Sequence, residues 1–279
     1  MRIGVIVPMT GAAAVPTWTE IREFARTAED LGFASLWVCD HLYNGNSTSE
    51  PMPIHEAWTI QTALAAVTAR VELGQLVLCT AFRDPGVLAK SAVTADSISG
   101  GRLTLGLGAG WNDREYRDFG FPIESRFRRF AESLEVTLPL LRSEEVTYSG
   151  RFHQVQGARL LPPPERHIPI LIAGSGPRMR DLVARHADAW NTAWFDSADG
   201  TFRAEIDAMK ASLDAVGRPH STLRWTVGFE PGANRPPADL TAAMSGFAEA
   251  GVDDLICIVE PETVAGLKHL AAAAAGWLT

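Results

Sequence analysis

The feature that most limits what this chain can fold into is a rhythm sustained from end to end, in which short apolar, β-branched runs alternate with longer amphipathic segments. Strands are expected at Ile3–Val7, Ser35–Cys39, Val71–Leu78, Leu103–Leu107, Ile168–Ala173, Ala187–Asn191, Leu223–Phe229 and Asp254–Val259. Helices are expected at Thr17–Leu31, His55–Thr68, Pro85–Ser97, Ser125–Leu141, Pro177–Arg185, Thr201–Val216, Asp239–Ala250 and Pro261–Ala275. Asp84-Pro85 and Gly176-Pro177 are start signals, because proline in the first turn forfeits no needed hydrogen bond. Eight strand–helix units over about 250 residues meet the requirement of an α/β (β/α)8 TIM barrel, whereas a doubly wound sheet more often stops at five or six strands. Glu145–Arg166 breaks the alternation. Two short strand-like runs around Ser149-Gly150, then three prolines, predict a hairpin insertion before the fifth strand and near the barrel mouth.

With 279 residues, 46% hydrophobic and 21% charged, the chain has ample material for one core, and no repeat or low-complexity linker divides it. A single domain over 1–279 is expected. The net charge of -8 argues against nucleic acid or an anionic membrane surface as a partner. No apolar segment reaches the roughly 18 residues that span a bilayer, and Pro8 and Thr10 interrupt the apolar N-terminal run, which reads as a first strand. Cys39, Cys79 and Cys257 are odd in number and lack metal-ligand spacing, which points to reduced, buried thiols, a cytoplasmic location and no metal.

"RLTLGLGAGWN", Arg102–Asn112, superficially suggests a dinucleotide-binding turn. That turn needs Gly-x-Gly-x-x-Gly, the third glycine letting a helix pack on its strand, and Trp111 stands at that third position. In a barrel, Gly106, Gly108 and Gly110 instead strip side chains from the end of the fourth strand. A flat ring could approach the backbone there, with Trp111 as a wall; alternatively the glycines relieve crowding and Trp111 is core.

Catalytic groups of such barrels gather at the C-terminal strand ends. Those ends hold Asp40-His41, where a carboxylate and an imidazole could orient a cofactor and move a proton, or simply cap a loop. Gly174–Pro177, "GSGP", leaves a strand and opens a helix, with free N–H groups, a helix dipole and Arg178 and Arg180 nearby. It suits a phosphate, or is an ordinary βα turn. The last two ends read Glu230-Pro-Gly and Glu260-Pro-Glu, acidic loops that would repel one.

"SLWVCDH" (35–41), "FRDPGVLAKSAVTADSISGGRLTLGLGAGW" (82–111), "YSGRFHQVQGARLLPPP" (148–164) and "IPILIAGSGPRMRDLVARHADAWN" (168–191) together resemble the luciferase-like monooxygenase superfamily, particularly its coenzyme F420-dependent oxidoreductases. The resemblance runs from Met1 to about Asn191. It implies a TIM barrel with a deazaflavin or flavin across its C-terminal mouth, His41 in proton transfer and Asp40 against the ring. It further implies cofactor contacts from Val77, Cys79, Gly108, Ala109, Gly110, Asn112, Gly174, Ser175 and Gly176. Hydride transfer between F420 and a small-molecule substrate is the expected activity. Two alternatives are an FMN-dependent monooxygenase served by a separate cofactor reductase, and a cofactor carrier without turnover. A homodimer is expected. Trp111 stands where the sugar-phosphate dehydrogenase branch carries a carboxylate, so the resemblance does not extend to oxidation of a sugar phosphate.

Overall fold

The computed structural model describes residues 1–11, 14–45, 49–232 and 235–279. The first half runs β1 (Arg2–Ile6), α1 (Trp18–Asp30), β2 (Ser35–Val38), α2 (Ala57–Val67), β3 (Glu72–Gln75), β4 (Leu78–Cys79), α3 (Pro85–Ser99), β5 (Leu103–Gly108), α4 (Asp113–Asp118) and α5 (Arg126–Leu141). After it come β6 (Val146–Ser149), β7 (Gln154–Ala158), β8 (Ile170–Ala173), α6 (Pro177–His186), β9 (Ala189–Phe195), α7 (Gly200–Ala215), β10 (Arg224–Phe229), α8 (Pro237–Glu249), β11 (Asp254–Cys257) and α9 (Val264–Ala273). Parallel pairing runs β3-β2-β1-β11-β10-β9-β8-β5, and a β3–β5 pairing closes the ring. The result is the eight-stranded parallel barrel that the alternation predicts, and no helix among the described residues is long and apolar enough to cross a membrane.

Most of the helices, α5, α6 and α8 excepted, start where a side chain accepts from free N–H groups. Thr17 and Glu20 form a reciprocal capping box on α1, and Asp84 accepts from Gly86 and Val87 ahead of Pro85. The helices cover the outside of the barrel over one continuous apolar layer. A second, smaller layer fills the interior, where Trp37, Leu171, Ala189 and Ile256 are fully or almost fully buried.

Opposite the mouth, charged residues at the strand starts plug the barrel. Arg224 donates to Glu72 at 2.7 Å and pairs with Asp254 at 2.5 Å, while Arg2 and Thr104 each reach Glu72 at 2.6 Å. Burial opposes ionisation of Glu72, but the Arg224 bond and the Arg224 and Arg2 charges outweigh it and hold the carboxyl at about 2.

Three departures from expectation matter. The third strand is split into β3 and β4, with a cis peptide between Leu76 and Val77. A short helix, α4, follows the fourth barrel strand. The hairpin β6–β7 forms as predicted but packs along the outside of α5, its tip held where Glu132 accepts from the N–H groups of Arg151, Phe152 and His153. It contributes nothing to the cavity described next.

Candidate active site

The C-terminal strand ends enclose a cavity of about 740 Å³. Asp40, His41, Val77, Cys79, Gly108, Ala109, Gly110, Asn112, Gly174 and Ser175 all line it, although they come from four separate stretches of chain. Gly176 does not. It stands outside as the N-cap of α6, where an added Cβ would meet nothing within 4 Å.

His41 owes its orientation to a residue that strand reasoning could not supply. Its Nδ1 lies 2.9 Å from Oε2 of Glu115, and the other carboxylate oxygen accepts from the N–H of Leu42 at 2.6 Å. Glu115 is only 2% exposed. A carboxylate can only accept here, so Nδ1 carries the proton and Nε2 is the nitrogen left for a ligand. Asn112 presents Glu115 by capping α4: its Oδ1 accepts from Arg114 N–H at 3.2 Å, and its Nδ2 donates to Gly45 O at 3.0 Å. Trp111 stands edge-on to the imidazole with ring centroids 5.6 Å apart and is 61% exposed, so it is a cavity wall and not core.

Asp40 does not partner its neighbour. Adjacent residues leaving a strand point to different sides, and its buried carboxylate is taken by Arg83 in a bidentate pair at 2.5 and 2.9 Å and by the N–H of Cys79 at 2.8 Å. Arg83 also reaches Glu56 at 2.8 Å. Asp40 therefore fixes the β4 wall. The Cys79 Sγ lies 3.2 Å from the Tyr116 hydroxyl, which donates to Ala109 O at 2.6 Å. Burial pushes the Cys79 thiol up to about 11, so it stays neutral and packs as a small apolar group.

The glycines of the opening lip now have specific causes. A Cβ on Gly106 would fall 1.8 Å from Gln75 O, so this strand can lie against the kinked third strand only without a side chain. Gly110 has φ +73°, and a Cβ there would strike the Tyr116 hydroxyl and the Cys79 sulfur. Across the cavity, Gly174 has φ +137°, its carbonyl accepts from Trp190 Nε1 at 2.8 Å, and no side chain caps the α6 N-terminus beyond it.

Fold and site together define a (β/α)8 protein with a ligand cavity at the C-terminal mouth and an oriented histidine in its wall. The sequence profile described as luciferase-like monooxygenase matches residues 1–275, and the chain belongs to that family. An F420-dependent glucose-6-phosphate dehydrogenase of Amycolatopsis mediterranei is 31% identical over 179 residues, 61% of this chain and 52% of that protein, so the chain spans about half of this relative. An uncharacterised protein of Mycobacterium bovis is 34% identical over 263 residues, 85% of this chain and 90% of the other. Among solved structures, an F420-dependent secondary alcohol dehydrogenase in complex with an F420-acetone adduct superposes with a TM-score of 0.85. It covers 100% of this chain and 99% of its own, at 18% identity, a likeness of fold.

Proposed function

We propose that the chain is an oxidoreductase that holds coenzyme F420 in the mouth cavity and exchanges a hydride between it and a small organic substrate. The observation that carries this reading is the His41–Glu115 pair in the wall of the 740 Å³ cavity. Beyond orienting the ring, the buried carboxylate stabilises the imidazolium that proton transfer requires. The cavity suits a flat heterocycle with an anionic tail: Gly108–Gly110 and the apolar Ile6, Leu76 and Val77 offer a surface for a ring, and the Gly174–Ser175 loop, which leads to the uncapped N-terminus of α6, suits a phosphate. When bound, the deazaflavin supplies or accepts the hydride. His41 then gives or takes the accompanying proton at Nε2, while Glu115 stabilises the ring whenever it is charged.

The relative and the solved structure named for F420 support this cofactor, and the family's monooxygenase name supports the competing FMN reading. Titration of the purified protein with F420 and with FMN decides between them. Tight FMN binding with no response to F420 refutes the proposal. With F420 bound, His41→Ala should lower the single-turnover rate by about 10²–10⁴-fold and change cofactor affinity far less. A full rate in that variant would remove His41 from proton transfer.

A further inference from the structure

The mouth of the barrel is electrostatically lopsided. Among the described residues lining the cavity there is no lysine or arginine, and the ionisable oxygens belong to Asp40, Glu115 and Glu262, besides the phenol of Tyr116. Asp40 is matched by Arg83 and Glu115 faces His41, but Glu262, just past the end of β11, has no hydrogen bond or ion pair among the described residues. Glu260 stands two residues before it, with one carboxylate oxygen buried and unpartnered. The nearby Arg235 lines a separate small hollow behind Glu260, and its guanidinium donates to Asp196 O at 3.0 Å.

The positive charge lies elsewhere on the rim. Arg178 covers the Phe127 ring at 4.5 Å and Arg180 bonds Ser175 O, both on α6 after β8, which β9 and β10 separate from β11. Neither arginine lines the cavity, and Arg180 also pairs with Glu205 at 3.4 Å. The β11 side lies two strands from His41, because β1 sits between β11 and β2, and Glu262 lines the same cavity as Cys39 and His41. No lysine or arginine among the described residues of that cavity offsets it.

Resting on the oxidoreductase reading above, we propose that the cavity selects an uncharged organic substrate and rejects phosphorylated or carboxylated ones, with Glu262 as the specificity-determining residue. A phosphate needs cations or converging N–H groups, and past the end of β11 the cavity offers Glu262 in their place. Glu262 is exposed at the rim of the cavity, so it acts on an approaching anion through its charge and not through a buried contact. The Amycolatopsis relative is named for glucose 6-phosphate, so the inference separates this chain from it in substrate class.

Trp194 lines the cavity and is 37% exposed, so its fluorescence reports the local field without cofactor or substrate. Quenching by caesium, iodide and acrylamide is measured in the parent and in Trp194→Phe, and the difference isolates Trp194. Caesium should quench it more than iodide relative to acrylamide, and Glu262→Gln should reduce that preference about twofold. Equal or stronger iodide quenching, or no change in Glu262→Gln, overturns the proposal even if F420 binds. With protein loaded with reduced F420 as the hydride donor, cyclohexanone and 4-oxocyclohexanecarboxylate form a matched pair. The neutral ketone should be favoured at least tenfold in kcat/KM, and Glu262→Gln should narrow that ratio about fivefold, the scale of one unit charge at close range in a wet site. Preference for the carboxylate, or for glucose 6-phosphate over every neutral compound, also overturns it. Failure of F420 to bind refutes the cofactor reading and leaves the quenching result standing.

Discussion

Replacing Glu115 by Gln tests the central geometry with the smallest change of shape. The amide oxygen can still accept from Leu42 N–H, now bonded at 2.6 Å, so the backbone after β2 keeps its anchor. The amide NH₂ then faces Nδ1, 2.9 Å away in the parent, and two donors cannot face each other. The imidazole must move its proton to Nε2, the nitrogen that serves the ligand. A charge-assisted bond is replaced by a neutral one, a loss of about 1–2 kcal/mol, and protonation at both nitrogens leaves a buried N–H against the amide, costing about 1–3 kcal/mol more. At 1.4 kcal/mol per factor of ten, the sum of about 2–5 kcal/mol predicts a fall of about 30- to 4000-fold in single-turnover rate, with cofactor affinity changed little. Glu115→Ala should fall as far in rate and also lose about 1–3 kcal/mol of stability, because Leu42 N–H loses its acceptor. Nitrogen-15 NMR of the His41 ring gives a readout that a packing defect would not move: Nδ1–H in the parent, Nε2–H in Glu115→Gln. An Nε2–H tautomer in the parent, or an undiminished rate in the variant, refutes the reasoning.

Gly106→Ala should destabilise the fold by about 3 kcal/mol or more in denaturant titration, since its Cβ would meet a backbone oxygen at 1.8 Å, whereas Gly200→Ala, with nothing within 4 Å, should be neutral or slightly stabilising. Glu72, held at about 2 in the fold against an ordinary value of 4.5, stabilises the protein above about pH 4.5, and that contribution is lost as pH falls towards 2. Its ceiling is about 3 kcal/mol, and Asp254, raised by burial, works in the opposite direction, so acid unfolding of Glu72→Gln should be flatter over that window but not flat.

The barrel was legible because burial writes itself into the chain as periodicity: each strand is an apolar run and each helix an amphipathic one. What escaped was local and polar. α4 is six residues, "DREYRD", too short and too charged to show an apolar stripe, yet it carries Glu115. The break between β3 and β4 was hidden because Val71–Leu78 reads as one continuous strand, with Glu72 and Gln75 set singly among apolar residues. Its trace lies on another strand, in the glycine at 106 that leaves room for Gln75 O. The cavity glycines were legible as a lip for the same reason that their causes were not: a missing side chain announces close approach without saying of what.

The pair Asp40-His41 illustrates how the site is assembled. Sequence adjacency suggests one carboxylate–imidazole unit, but the strand end divides them between two networks, each completed from far along the chain. His41 takes its carboxylate from 74 residues away, and Asp40 takes its cation from 43 residues away. The second network acts on the first without touching it. Asp40 sets Cys79, the Cys79 sulfur meets Tyr116, and the Tyr116 hydroxyl holds Ala109 O in the glycine lip. Tyr116 neighbours Glu115 on α4, so the wall that would carry a ring and the carboxylate that aims the histidine share one short helix. Displacing α4 would disturb both at once, which is a physical reason for Asn112 to engage both ends of its amide in holding that helix's first turn and the loop at Gly45.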